Sequence, residues 1–145
     1  MPTNKLTILV FILFISFSQL VCAKSNNNQS ELTVEADESL EWFEKEKYYL
    51  AKGNVILKKD GVTLKANIIK ADYVFENGEN ILKKIIAKEE VILTKDNTKA
   101  TGQYMTYDLE EKIAKISGSF QTFSSPSGYV ESKKIITFNN VNNKA

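Results

Sequence analysis

A sequence repeat with a spacing of 36 residues constrains the fold of this chain more than any other feature. Residues 51–57 (AKGNVIL) return as residues 87–93 (AKEEVIL), and residues 66–72 correspond to residues 102–108 at the same spacing. Residues 116–122 form a weaker third copy of the first motif. A unit of this length holds two strand-like runs and a turn, and it cannot bury an apolar face alone. The repeat therefore predicts a stack of strand pairs that bury their apolar faces together.

Apolar and polar residues alternate with a period of two along most of the chain, which is typical of strands with one buried face. Asp60-Gly61 and Asn77-Gly78 indicate hairpins, because both central positions of a two-residue turn need a positive φ. Residues 39–47 have a helical composition, but they are too few for a stable helix, and flanking aromatic pairs favour a hairpin. We expect strands over residues 32–36, 53–59, 62–68, 81–88, 91–95, 103–109, 112–117, 119–123 and 129–138.

The predicted fold class is all-β. Antiparallel strand pairs are expected to stack into two facing sheets or an open two-sheet roll. The strands over residues 32–36 and 129–138 are expected to form its free edges. The alternative is a general antiparallel sandwich in which the similarity between the units is coincidental. The shared spacing of 36 residues in two separate motifs favours the repeated architecture.

The N-terminal segment has the layout of a secretory signal peptide. Lys5 precedes an uncharged apolar run over residues 6–23, and Val21 and Ala23 suit the −3 and −1 positions of a cleavage site. The alternatives are an uncleaved membrane anchor, for which this run is at the lower length limit, and a lipoprotein acylated at Cys22. We expect a cleaved signal peptide over residues 1–23, a polar spacer over 24–31, a folded domain over 32–138 and a disordered tail over 139–145.

The composition excludes several classes of function. The chain has 19 lysines, no arginine and 18 acidic residues, for a net charge of +1, whereas nucleic-acid binding needs clustered cations. It has no histidine and one cysteine, which excludes histidine-based zinc sites and catalytic triads that use histidine. Adjacent carboxylates such as Glu89 and Glu90 would point to opposite faces of a strand. We therefore expect no enzyme activity, no cofactor, no metal site and no nucleic-acid partner.

Short motifs recur over residues 32–138: Ala36-Asp37 with Ser39, Ala51-x-Gly53-Asn54-Val55, Ala66 with Ala71-Asp72, Lys84-Ile85-x-Ala87, Ala100-x-Gly102 with Tyr107-Asp108, and Ile116-x-Gly118. They resemble the OstA/LptA family of periplasmic lipopolysaccharide-transport proteins. The motifs are mostly structural, and the resemblance covers nearly all of the chain after the predicted signal peptide. Glu89 departs from the pattern, because the second copy of the first motif would normally carry glycine at this position.

This resemblance implies a twisted antiparallel β-jellyroll with an open apolar interior. It implies a periplasmic protein that shields the acyl chains of lipopolysaccharide and forms part of a bridge from the inner to the outer membrane. The implied partners are lipopolysaccharide, related β-jellyroll domains of both membranes, and further copies of this chain joined head to tail by edge-strand pairing. The alternatives are a membrane-anchored adaptor of the same fold, similar to LptC, and a closed structural β-sandwich without a lipid site.

Alternation selects twelve residues that we expect to face the interior and to line a lipid groove. An acyl chain exposed to water costs about 0.8 kcal/mol per methylene, so its carrier needs an apolar groove. The same residues could instead form a closed core, and periodicity does not separate these two outcomes. The candidate groove residues are Val55, Leu57, Leu64, Ile68, Ile85, Val91, Leu93, Tyr104, Ile113, Ile116, Phe120 and Ile135.

Overall fold

The computed structural model describes residues 32–139, which form ten β-strands and no helix. None of these residues belongs to a helix that could cross a membrane. The predicted signal peptide and spacer lie outside the described residues, as do residues 140–145, whereas Asn139, which we assigned to the tail, ends a strand. The strands are β1 (Thr33–Glu35), β2 (Ser39–Phe43), β3 (Tyr48–Lys59), β4 (Val62–Glu76), β5 (Glu79–Lys95), β6 (Thr98–Asp108), β7 (Ile113–Ser117), β8 (Gln121–Ser125), β9 (Gly128–Ser132) and β10 (Ile136–Asn139).

Three pairs of short strands act as single strands that bend. β1 and β2 both pair with β3, and β7 and β8 both pair with β6. In the same way, β9 pairs with β8 and β10 pairs with β7. The ten strands therefore make seven bent strands, in the order β1–β2, β3, β4, β5, β6, β7–β8 and β9–β10. Each bent strand runs antiparallel to the next, so the chain forms a continuous meander.

Each bent strand gives one half to each of two seven-stranded arms. Apolar residues from both arms form a common buried core, so the arms lie face to face. The prediction of an all-β fold, an antiparallel jellyroll of two facing sheets, is confirmed. Arm A consists of residues 39–43, 48–52, 68–76, 79–88, 103–108, 113–117 and 136–139, and arm B consists of residues 33–35, 55–59, 62–66, 91–95, 98–102, 121–125 and 128–132.

The line along which the strands bend, here called the corner, coincides with the repeated motif. β3 bends at Gly53 and Asn54, where φ is 81° and 42°, and β5 bends at Glu89 and Glu90, where φ is 63° and 53°. The pairing register shifts at both places, as expected for β-bulges, which bend the strand that carries them. The repeat of 36 residues is therefore the length of two bent strands with their connecting turns.

The structure confirms the predicted turns and corrects the bounds of several predicted strands, since β3 begins at Tyr48 and β4 continues to Glu76. Asp60-Gly61 joins β3 to β4, Asn77-Gly78 joins β4 to β5, and residues 39–47 begin a hairpin in which β2 pairs with β3. The strands predicted over residues 81–88 and 91–95 are one strand, because the bulge bends β5 without ending its pairing. The strand predicted over 129–138 is two strands, because the chain crosses the corner between β9 and β10.

Candidate functional site

The inner faces of the arms carry three rows of apolar residues, and each row crosses all seven strands. Residues that are paired in an antiparallel sheet share a face, so the register defines each row. Together the rows form a broad and nearly continuous apolar surface. The two rows of arm A are Trp42, Tyr49, Ala71, Ile85, Tyr107, Ala114, Phe138 and Leu40, Ala51, Ile69, Ala87, Met105, Ile116, Ile136; the row of arm B is Val34, Leu57, Leu64, Leu93, Ala100, Phe123, Val130.

A shorter row of arm B lies next to the corner and contains Val55, Ala66, Val91 and Gly102. Gln121 of β8 continues this row. Ala100 pairs with Phe123, so Gly102, two residues after Ala100, lies beside Gln121, two residues before Phe123. Among residues 32–139, Gln121 is the one polar side chain that is fully buried. The rows therefore form an apolar interior with a single polar side chain near the corner.

The interior is closed at its centre. Val55, Ala87 and Ile116 have no solvent exposure, and Val91 is 1% exposed. Burial raises the pKa of the Tyr107 phenol above its ordinary value, with smaller contributions from the carboxylates of Asp108 and Asp60. Tyr107 therefore remains neutral at physiological pH, and the inner face carries no charge at this position.

The two arms are offset by one strand. The rings of Phe123 on β8 and Phe138 on β10 lie 5.1 Å apart between centroids, so the sixth strand of arm B faces the seventh strand of arm A. The offset leaves β2 at one end and β9 at the other without a facing strand. Their inward side chains are accordingly exposed, with 64% for Leu40, 57% for Trp42 and 51% for Val130. We call these uncovered surfaces of β2 and β9 the first and second end faces.

Aromatic side chains surround the first end face. Trp42 Nε1 donates a hydrogen bond of 2.7 Å to the Tyr73 hydroxyl, and the rings of Trp42 and Tyr49 stack at 6.2 Å. Lys47 Nζ lies 5.8 Å from the ring centroid of Phe75, which is 60% exposed. The candidate groove residues chosen by alternation did not include this group. The aromatic pairs that flank the β2–β3 turn were its signal in the sequence.

Seven of the twelve candidate groove residues lie on the inner face, and five do not. Ile68, Tyr104 and Ile113 lie on the outer face, and Phe120 and Ile135 lie in corner connections, where they are 47% and 62% exposed. The prediction that these five residues face the interior is wrong. The seven inward residues are Val55, Leu57, Leu64, Ile85, Val91, Leu93 and Ile116.

The bulges explain why alternation failed for two of the outward residues. On β4 the inward residues are Leu64 and Ala66 before the corner and Ile69 after it, because the register shift changes the phase by one residue. Ile68 is therefore turned outward, and the same shift on β6 turns Tyr104 outward. A one-residue change of phase exchanges the two faces of a strand. The prediction for Ile113 is wrong for a simpler reason. Ile113 lies three residues before the inward Ile116 on the same strand, and residues an odd number of positions apart on a strand face opposite sides.

The outer side of the corner carries a shallow cleft of about 230 Å³. Polar side chains dominate it, including Glu38, Lys52 and Asn67, and the misassigned Ile68 is part of its wall. Nearby carboxylates serve the fold, since Asp37 accepts a hydrogen bond from Asn54 at 2.9 Å. No group of three or more metal-binding side chains comes together within residues 32–139.

Residues 33–142 match the family described as LptA/(LptD N-terminal domain) LPS transport protein. No curated protein is significantly similar to this chain in sequence.

Among solved structures, the chain is similar to LptH, the LptA-homologous periplasmic component of the lipopolysaccharide transport device of Pseudomonas aeruginosa. The TM-score is 0.64 at 16% sequence identity, and the alignment covers 75% of this chain and 76% of LptH. At this identity the structural likeness supports the fold, whereas the family match extends over most of the sequence. The chain therefore belongs to the LptA and LptD N-terminal domain family of lipopolysaccharide transport proteins.

Proposed function

We propose that this protein binds lipopolysaccharide in the periplasm and holds its acyl chains between the inner faces of arms A and B. The observation that carries the proposal is the set of three apolar rows, each crossing seven strands, in a member of a lipopolysaccharide transport family. Five residues of the predicted groove belong to these three rows, and Val55 and Val91 belong to the short row next to the corner. Ile68, Tyr104 and Ile113 are not part of the proposed site.

Lipid binding requires the arms to separate, because the centre of the interior is closed. Each pair of residues in the strand register of residues 32–139 lies within one arm, so separation of the arms breaks no backbone pairing between strands. Separation instead disrupts the apolar packing between side chains of the two arms. An acyl chain replaces this packing and buries its own methylenes, at about 0.8 kcal/mol for each. The apolar side chains of the two arms therefore stay out of contact with water both in the closed state and in the lipid-bound state.

The offset of the arms supports an end-to-end association of copies. If the β9–β10 edge of one copy continues into the β1–β2 edge of the next, β2 of the second copy comes opposite β9 of the first. Leu40 and Trp42 then cover Val130, so each end face buries the other. Unpaired edges are templates for a further strand, and a head-to-tail contact of this kind extends as a bridge. The same edges suit related domains of the inner- and outer-membrane components.

Site-specific photocrosslinking tests the lipid site. A photoreactive residue would replace Leu40 or Leu93 on the inner face, and a matched probe would replace Lys65, which is exposed on the outer face of arm B. We expect lipopolysaccharide adducts at both inner positions and none at Lys65, in cells that make lipopolysaccharide. A folded protein with no adduct at either inner position would contradict the proposal and favour a closed β-sandwich.

We also propose that the mature protein is released into the periplasm by cleavage after Ala23. The support is the signal-like sequence of residues 1–23, together with the transport family. N-terminal sequencing of exported protein is expected to begin at Lys24. A retained N-terminus with the protein in the inner-membrane fraction would instead identify a membrane-anchored adaptor.

A further inference from the structure

Gln121 is an anomaly in the apolar interior. It is 0% exposed and is the one buried polar side chain of residues 32–139. It continues the short corner row, whose other members include Val55, Ala66 and Val91. A Cβ atom placed on the neighbouring Gly102 would lie 3.6 Å from Gln121 Cγ. An apolar side chain is the ordinary choice for such a position.

The two ends of the Gln121 amide have different surroundings. Nε2 donates a hydrogen bond of 2.7 Å to the backbone carbonyl of Lys134, in the connection between β9 and β10. Oε1 has no hydrogen-bond partner. Among the buried side-chain oxygens and nitrogens of the described residues, it is the one atom without such a partner. The Lys134 carbonyl accepts but cannot donate, so the amide nitrogen must face it and Oε1 is the end of the amide that stays buried without a partner.

The hydrogen bond to Lys134 gives the donor of this amide a structural role, but it leaves the acceptor without one. The bond to Lys134 uses the donor alone, whereas the buried acceptor without a partner destabilises the closed interior. The acceptor gains a partner if a bound molecule brings a donor between the arms. A plain methylene chain has no donor, and phosphate or carboxylate groups offer acceptors. A hydroxyl or an amide N–H close to an acyl chain has the required chemistry.

We propose that Gln121 Oε1 accepts a hydrogen bond from the lipid and makes this protein selective for acyl chains that carry a hydroxyl or amide N–H group. The inference rests on the proposed lipid site and adds a residue that determines its specificity. A chain without a donor leaves the buried acceptor unpaired, and sites built for a hydrogen bond discriminate against such analogues. We expect a preference of roughly three- to tenfold, the value of one hydrogen bond.

The test compares the affinities of tetradecanoate, 3-hydroxytetradecanoate and N-methyltetradecanamide for the purified full chain, by displacement of an apolar dye. The variants are Gln121→Leu and, as a matched control, Gln103→Leu. Gln103 is exposed, and its Oε1 already accepts a hydrogen bond of 2.9 Å from Ser119 N. The two donor-bearing ligands distinguish a hydroxyl partner from an amide partner.

We expect the wild-type protein and Gln103→Leu to prefer at least one donor-bearing chain. Gln121→Leu should lose this preference and bind the three ligands with similar affinities. Equal wild-type affinities for all three ligands, or a preference that survives in Gln121→Leu, would overturn the inference but leave lipid binding intact. A wild-type protein that binds none of them would overturn the lipid site as well.

A second measurement needs no folded variant. The side-chain amide of Gln121 gives its own NMR signal in the wild-type protein. This signal should shift with the preferred donor-bearing ligand and much less with tetradecanoate. Identical shifts for all three ligands would contradict a hydrogen bond at Oε1.

Discussion

At the scale of the residue, the corner depends on backbone conformations that few side chains tolerate. Gly53 has a φ of 81° and lies against β1–β2. An added Cβ would be 2.5 Å from Glu38 Cγ and 2.9 Å from Glu38 N. Gly61 has a similar φ of 74°, but a Cβ there would meet nothing within 4 Å. A comparison of Gly53 with Gly61 therefore separates the free-energy cost of a positive φ from the cost of a close contact with Glu38.

We expect Gly53→Ala to destabilise the protein more than Gly61→Ala. The left-handed conformation costs a non-glycine residue about 1–2 kcal/mol, and this cost applies to both variants. At Gly53 the contact with the Glu38 backbone adds to it. Urea unfolding would measure both free energies of unfolding. Equal losses would show that the corner moves to accept a methyl group.

Glu89 adopts at β5 the conformation that Gly53 adopts at β3. Its φ of 63° is in the left-handed region, and the resemblance to the family had indicated a glycine here. Glu89→Gly should raise the free energy of unfolding, because relief of about 1–2 kcal/mol exceeds glycine's cost of about 0.5–1 kcal/mol. Glu79→Gly, on the same strand with ordinary extended backbone, is the control and should be destabilising. A loss of stability in Glu89→Gly would contradict this account.

At the scale of the element, the end strands decide how the molecule meets its neighbours. β2 and β9 each lack a facing strand, and each exposes apolar side chains that point inward. Leu40 is more exposed than Ile81, an outward residue with 38% exposure. A change at Leu40 should therefore act on association more than on folding.

We expect Leu40→Lys and Val130→Lys to reduce self-association of the lipid-free protein, because each places a charge on an end face. Sedimentation velocity over a range of concentrations would measure this. Ile81→Lys is the matched control and should associate as the wild type does. Association that is unchanged in both end-face variants would exclude contact between the end faces.

At the scale of the whole molecule, the arms are two sheets that share strands and are held together by apolar packing. A ligand that lies between them binds the folded state alone and therefore stabilises it. Because the described interior is closed, the proposed lipid binding exchanges packing between the arms for packing against acyl chains. The acyl chains should therefore carry most of the stabilisation.

Lipopolysaccharide should raise the free energy of unfolding by about 2.7 kcal/mol when its concentration is 100 times the Kd. Deacylated lipopolysaccharide at the same concentration should have little effect, because it keeps the sugars and phosphates but lacks the chains. Thermal unfolding followed by circular dichroism would compare the two. Equal stabilisation by both would indicate a headgroup site on the outer surface.

The class of fold and the 36-residue period of its units follow from local patterns in the amino-acid sequence. Alternation, hairpin signals and the 36-residue repeat are local, since they depend on residues within one or two strands. They were sufficient to predict an all-β stack, its turns at Asp60-Gly61 and Asn77-Gly78, and the edge strands β1, β9 and β10, but not the edge strand β2. They also placed Val55, Leu57 and Leu64 correctly, because no bulge lies between these residues.

Only the tertiary structure decided which face each residue beyond the corner presents. A bulge shifts the alternation of inward and outward residues by one residue. The bulge of β5 is formed by Glu89 and Glu90, and glutamate is not a residue type that predicts a positive φ. The offset of the arms, which exposes Leu40 and Val130, and the unpaired acceptor of Gln121 depend on strands distant in sequence. Such features arise from packing between sheets, and no local pattern encodes them.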